Sequence, residues 1–249
     1  MPTNECYQPT PGEIKAAQLK PNLLKVSGDS TFFTIQGEGD SIGKPAVFLR
    51  LHLCNLACTW CDTPYTWDRT TAAFWQESTN WDIDRAVSEI SVFNQHRLVI
   101  TGGEPMMQQA MISQLLKRIP DWNIEIETNG TIPPIQDLAE RCQFNVSPKL
   151  ANSGNKERSR LKPDVLRIYN ALPKTAFKFV AQSVDDIREI DAIVAECAID
   201  PKKIIIMPEG KNEESIRQHG LAVVEEVKNR GWRLLPRLQV TLWGNQRGT

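Results

Sequence analysis

The chain has 249 residues, 30 acidic and 29 basic side chains, a formal net charge of −1 and 41% hydrophobic types. Ordinary apolar content at near-zero charge excludes an intrinsically disordered chain, and the even balance leaves no electrostatic footprint for general nucleic-acid binding. A single domain of this length buries roughly 70–75% of its unfolded surface, so its core needs no disulfide staple and the six cysteines need another explanation.

Residues 1–28 are polar and contain four prolines, which predicts an extended N-terminal arm ahead of a catalytic body over 29–249. The N-terminus lacks the apolar stretch of a signal peptide and the Arg/Ser-rich character of a transit peptide. No window approaches the roughly 18 consecutive apolar residues of a membrane span. A cytoplasmic location is expected, where cysteines are more often buried, metal-bound or catalytic than paired.

After the arm, short β-branched or aliphatic runs predict six strands, at 46–52, 97–101, 123–128, 144–147, 176–181 and 203–207. Helical spacing appears between them: Ile83, Ala86, Val87 and Ile90; Ile112, Leu115, Leu116 and Ile119; a helix over 184–197 behind a Ser183 cap; and another over 215–230. Alternating strand and helix implies an α/β fold with a largely parallel sheet, whose ligand sites lie at the carboxyl ends of the strands. Polar and Gly-rich segments sit at those exits: CNLACTWCDT after the first strand, then TGGEP, ETNG, SPK and, after the sixth, MPEG.

Cys54, Cys58 and Cys61 fall within eight residues, whereas Cys6, Cys142 and Cys197 lie far apart. Thiolates are soft donors suited to zinc or iron–sulfur clusters, and no fourth Cys or His follows at finger-like spacing. Three ligands leave an open coordination position for substrate or cofactor. Two other readings stay open on residue grounds: buried small hydrophobes, or a zinc-binding interaction module completed by Cys142, Cys197 or a His.

Cys54-x3-Cys58-x2-Cys61, with Trp60 before the last Cys, resembles the signature of the radical S-adenosylmethionine (SAM) enzymes. The resemblance implies a 4Fe-4S cluster on the three cysteines, SAM on the fourth iron, and a partial (β/α)6 barrel. The ordered set FTIQGEG, Arg50, CDT, TGGEP, ETNG, VSPK, FKFV, MPEG and RLQVTLWG, over about residues 31–244, resembles the 7-carboxy-7-deazaguanine synthase family. That implies radical ring contraction of 6-carboxy-5,6,7,8-tetrahydropterin with loss of ammonia, on the route to queuosine and related 7-deazapurines. A radical SAM activase of a protein partner is the second enzymatic reading.

By the same resemblance, Thr63 is expected to bind Mg2+, for which a hydroxyl oxygen is a suitable hard donor. Trp60, Cys61, Asp62, Gly102, Gly103, Glu104, Asn129, Ser147, Pro148 and Lys149 are expected beside SAM. Ile35, Gln36, Gly37, Glu38, Arg50, Thr101 and Gln239 are expected at the substrate, Arg50 offering a planar fork for its carboxylate. The implied partners are the pterin, an electron donor such as flavodoxin, and a second copy in a homodimer, with no direct nucleic-acid or membrane contact. The chain departs from the family pattern at Leu53, where Gly is usual, and at Gln239, where His is usual. Some members end in a Pro whose carboxylate contacts substrate, whereas this chain ends GNQRGT.

Overall fold

The computed structural model describes residues 7–244 and 246–249. Its strands are β1 (Leu24–Ser27), β2 (Phe32–Ile35), β3 (Pro45–Leu51), β4 (Ser78–Trp81), β5 (Arg97–Gly102), β6 (Asn123–Thr128), β7 (Gln143–Val146), β8 (Thr175–Ala181), β9 (Ile204–Pro208) and β10 (Arg233–Leu234). The helices are α1 (Pro11–Ala16), α2 (Ala72–Gln76), α3 (Ile83–Ser91), α4 (Gln109–Arg118), α5 (Gln136–Arg141), α6 (Glu157–Arg160), α7 (Pro163–Ala171), α8 (Val184–Cys197), α9 (Glu213–Arg230) and α10 (Leu238–Trp243).

The strands form one sheet in the order β10-β9-β8-β7-β6-β5-β3-β1-β4, with β2 beside β3. From β3 through β5, β6, β7, β8 and β9 to β10 every pairing is parallel. This is the expected partial barrel, and each of the six expected strands agrees with β3 or β5–β9 to within one residue. Helix α8 begins where expected: the Ser183 hydroxyl accepts from Asp186 N–H while the Asp186 carboxylate accepts from Ser183 N–H. Helix α9 starts two residues before the expected 215, capped by Asn212.

The arm expected over 1–28 does not stay outside the core. Strand β1 pairs antiparallel with β4 from Leu24↔Trp81 to Ser27↔Ser78 and meets β3 at Val26↔Leu51, with Leu24 and Val26 fully buried. Four residues, LKVS, suffice to bury two aliphatic side chains, a signal too short to stand out against the prolines and polar residues around it. Residues 1–6 of that arm, Cys6 among them, lie outside the described residues. The antiparallel strands β1, β2 and β4 and the two-residue β10 were missed for the same reason of length.

Period-two alternation gives the parallel strands two different faces. Leu98 and Ile100, Ile124 and Ile126, Phe144 and Val146, Phe177 and Phe179, and Ile204 and Ile206 turn toward the helices and join one buried core. Burying such side chains is worth about 1.5–3 kcal/mol each. The alternate positions, Arg50, Thr101, Glu125, Glu127, Asn145 and Lys178, therefore share the opposite, inner face.

Candidate active site

The cysteine loop begins with a backbone conformation uncommon for a branched residue: Leu53 has φ +78°. Two backbone bonds hold it there. Its N–H donates to Thr66 O (3.0 Å), and its carbonyl accepts from Glu104 N–H (2.8 Å). The neighbouring Gly103 N–H donates to Leu51 O (3.0 Å). A Cβ at Gly102 would lie 1.9 Å from Leu51 O and one at Gly103 2.0 Å from Leu53 O. The glycine pair thus serves first to bring the β5 exit against the chain that leads into Cys54.

Cys54, Cys58 and Cys61 all line one cavity of about 260 Å³, as free thiols. Burial pushes the Cys54 thiol up to about 12 and raises that of Cys58 as well. Such desolvated thiols need a compensating positive centre to ionise, which irons supply. Three soft donors lining one cavity are the donor set of an iron–sulfur cluster, while no three His, Cys, Asp or Glu among the described residues are grouped to hold a single metal ion. They do not fit the zinc module as envisaged. Cys142 and Cys197 belong to the main core, and His52 turns its ring to Ser27 (Nδ1 to Oγ, 3.4 Å) and Phe74.

Below the thiols the cavity meets a ladder of charges. The Lys178 ammonium donates to Glu38 and to Glu127 (2.9 Å), and is nearly buried between them. Burial opposes its charge, but Glu127 and Glu38 outweigh burial and hold it above the usual lysine range. Burial likewise raises the Glu38 carboxyl, yet Lys178 and Arg237 reverse this and hold it well below the carboxylate range. Arg237 donates to Glu38 Oε1 (2.9 Å), to the Asp62 carboxylate and to Gly210 O (2.9 Å), tying three loops together. Beneath lies Glu125, raised by burial and by Glu127, accepting from Gln36 Nε2 (2.6 Å), Asn145 Nδ2 (2.6 Å) and Ser41.

Arg50 differs from the inner-face cations Lys178 and Arg97, the latter paired with Glu125 (3.7 Å). The Arg50 guanidinium lines the same cavity, lies 5.7 Å from the Phe32 ring centroid, and has no hydrogen bond or ion pair among the described residues. An unspent planar fork in a partly enclosed site suits a carboxylate.

The radical SAM superfamily pattern matches residues 50–219. A 7-carboxy-7-deazaguanine synthase from Pyrobaculum aerophilum is 34% identical over 87% of this chain and 94% of its own. Another from Rhodopirellula baltica is 30% identical over 96% and 93%, and that of Escherichia coli K12 31% over 82% and 92%. The crystal structure of QueE from Escherichia coli superposes with a TM-score of 0.65 at 27% identity, covering 87% of this chain and 94% of that one. The chain belongs to the radical SAM superfamily and, within it, to the 7-carboxy-7-deazaguanine synthase family. Membership in the superfamily implies a 4Fe-4S cluster and SAM.

Against that family's pattern, the structure gathers most of the expected residues into one cavity. Trp60, Asp62, Thr63, Gly102, Gly103, Asn129, Ser147 and Lys149 line it together with the cysteines, and so do Ile35, Gln36, Gly37, Glu38, Arg50, Thr101 and Gln239. Two expected residues do not reach it. Pro148 is buried behind the wall, and Glu104 is 0% exposed with both oxygens committed. Oε1 accepts from Met106 N–H (2.9 Å) and the Thr128 hydroxyl (2.7 Å), Oε2 from Asn129 N–H (2.7 Å). Glu104 supports the Asn129 turn, and Asn129 in turn donates to Asn55 Oδ1 (2.8 Å) in the cysteine loop.

Glu127 and Lys178 line the cavity but were not among the expected site residues, although both lie in quoted motifs. The signal was charge on the face opposite the apolar positions, Glu125 and Glu127 in NIEIET and Lys178 in AFKFVA, which is the mark of a polar barrel interior. Of the aromatic loop, Phe74 and Trp75 pack edge-on and join Leu53, Ala17 and Met107, Trp81 enters the main core, and Trp67 lines the cavity.

Proposed function

We propose that this chain contracts the ring of 6-carboxy-5,6,7,8-tetrahydropterin to 7-carboxy-7-deazaguanine, with loss of ammonia, in queuosine and 7-deazapurine biosynthesis. The observation that carries the reading is Arg50: an unpaired guanidinium sharing one cavity with the three cysteines suits a small substrate bearing a carboxylate. The cluster with SAM supplies the radical chemistry that takes a hydrogen atom from carbon.

The chain's own residues have these roles in the proposal. Cys54, Cys58 and Cys61 hold the cluster, and Gly102, Gly103, Ser147, Lys149, Trp60, Asp62 and Asn129 form the SAM side. Lys149 is held for this by Ser147 Oγ (2.8 Å) and lies over the Trp60 ring. Arg50 takes the substrate carboxylate, and Thr63, which lines the same cavity, would offer its hydroxyl as a hard donor to Mg2+, which would supply positive charge to the substrate. Ile35, Gly37, Thr101 and Glu127 face the heterocycle. Gln36 acts on it through Glu127, to which its Nε2 donates (3.1 Å). Glu38 and Gln239 fix the wall opposite, and Lys178 holds Glu127 in place by donating to its Oε2 (2.9 Å).

We assign catalysis to residues 29–249, a cytoplasmic location, a flavodoxin-like electron donor and a homodimer to the same proposal. Among the described residues no helix is long and apolar enough to cross a membrane. The test is anaerobic turnover of the reconstituted protein with SAM, reductant, Mg2+ and the pterin, read by mass spectrometry, beside Cys58→Ala and Arg50→Met. The expected result is product with loss of ammonia, absent in Cys58→Ala and with a raised substrate KM in Arg50→Met. Reductive SAM cleavage with the pterin untouched would overturn the substrate.

A further inference from the structure

The turn 151–155, which follows the β7 exit, runs alongside the second half of the cysteine loop. Thr59 N–H donates to Ser153 O (3.0 Å), and Trp60 Nε1 to Asn152 Oδ1 (3.2 Å). The turn is itself anchored on the barrel wall. Glu189 of α8 accepts from Ala151 N–H (2.9 Å) and pairs with Arg160 (2.7 Å), whose guanidinium also donates to Lys149 O (2.8 Å).

At the end of this turn, Asn155 meets the cysteine loop with both halves of its amide. Oδ1 accepts from Ala57 N–H (3.0 Å), and Nδ2 points at Cys58 Sγ (3.3 Å), with Ser153 Oγ (3.2 Å) and Ser153 O (3.4 Å) sharing its two hydrogens. Among the described residues, the other two thiols have hydrogen-bond neighbours only close in sequence: Leu56 N–H at 3.5 Å from Cys54 Sγ and the Thr63 hydroxyl at 3.6 Å from Cys61 Sγ. Among the described residues, Cys58 alone of the three is hydrogen-bonded by a side chain from a distant part of the chain, 97 residues away.

We infer that Asn155 is a positioning residue for the cluster, clamping Ala57 and donating a hydrogen bond to the Cys58 thiolate that makes the bound cluster easier to reduce. One-electron reduction adds negative charge to the cluster and its thiolates, and an N–H aimed at sulfur stabilises that charge. Hydrogen bonding to the sulfurs is one of the ways a protein sets such a potential. The inference rests on the cluster that superfamily membership implies and needs no pterin, so it stands or falls apart from the substrate proposed above.

The test compares wild-type and Asn155→Asp holoenzymes in an anaerobic redox titration followed by the electron paramagnetic resonance of the reduced cluster. Asp keeps the acceptor for Ala57 N–H but replaces the donor to sulfur with a carboxylate. The expected result is a more negative midpoint potential with altered g-values. The kcat of reductive SAM cleavage falls under a fixed donor, with the KM for SAM within twofold of wild type. Equal midpoints at equal iron content would overturn the inference. Asn155→Ala, which removes both contacts, is read in the metal-free protein by hydrogen exchange. Faster exchange across residues 57–60 is expected even if a variant takes up no iron, and unchanged exchange there would overturn the clamp.

Discussion

Gln239 Oε1 rests directly on the α-carbon of Gly37: a Cβ built on that glycine would lie 1.7 Å from the oxygen and 2.9 Å from the Gln239 backbone nitrogen. The same amide donates through Nε2 to Glu38 Oε1 (2.7 Å), and Leu238 N–H donates to Gly37 O (3.0 Å). The segment where the family usually has His is therefore zipped to the loop after β2. Gly37→Ala should push Gln239 off Glu38 and raise the substrate KM at least tenfold, whereas Gly37→Ala with Gln239→Ala should lose much less than the two single effects combined. Steady-state kinetics of the four-member cycle check this, and simple additivity would reject the contact.

Leu53 carries both a strained backbone and a buried side chain packed against Ala17 and Phe74. Positive φ costs a branched L-residue roughly 1–2 kcal/mol, and truncating a buried Leu costs about 2–5 kcal/mol. Leu53→Ala loses the packing and keeps the strain; Leu53→Gly loses the packing and releases it. Both variants should be less stable than wild type, with the Gly variant at least as stable as the Ala variant, the reverse of the usual order. Urea unfolding of the metal-free proteins decides it.

Glu104→Gln sets an amide N–H2 against backbone and hydroxyl donors that now meet a carboxylate. A buried donor left without an acceptor costs about 1–3 kcal/mol. The metal-free variant should unfold at lower urea, with a secondary rise in the KM for SAM through the loosened Asn129–Asn55 contact. Unchanged stability with lost SAM affinity would restore Glu104 as a direct contact.

Lys25, 1% exposed on β1, gives a pH signature. Burial, helped by the Lys20 charge, lowers its ammonium from 10.5 to about 8. Between about 8 and 10.5 the unfolded chain holds a proton that the folded chain has released, so this residue makes stability rise with pH across that window. The rise is up to about 3 kcal/mol. Below about 8 both states are protonated and the full cost of burying the charge is present. Measured against Lys25→Met by urea unfolding at pH 7.5, 9 and 10.5, the wild-type stability should gain steadily. A constant difference would show that Lys25 titrates normally.

Features encoded over short stretches were legible from the residues alone. The spacing of Cys54, Cys58 and Cys61, the six β-branched runs and the Ser183 cap each depend on residues within a few positions of one another, so periodicity and side-chain chemistry suffice to find them. The ordered motifs at the strand exits placed the chain in its family before any contact was known.

Which of those residues face one another depends on the packed fold. Lys178 and Glu38 are 140 residues apart and Asn155 and Cys58 are 97 apart, and nothing in the local pattern of either partner names the other. The packing of β8 against the loop after β2, and of the turn after β7 against the cysteine loop, brings them together. The same physics sets the surroundings of Glu104. A carboxylate beside a glycine pair looks like a ligand contact in sequence, but the fold surrounds it with three donors of its own, and a buried charge goes where its hydrogen bonds are met.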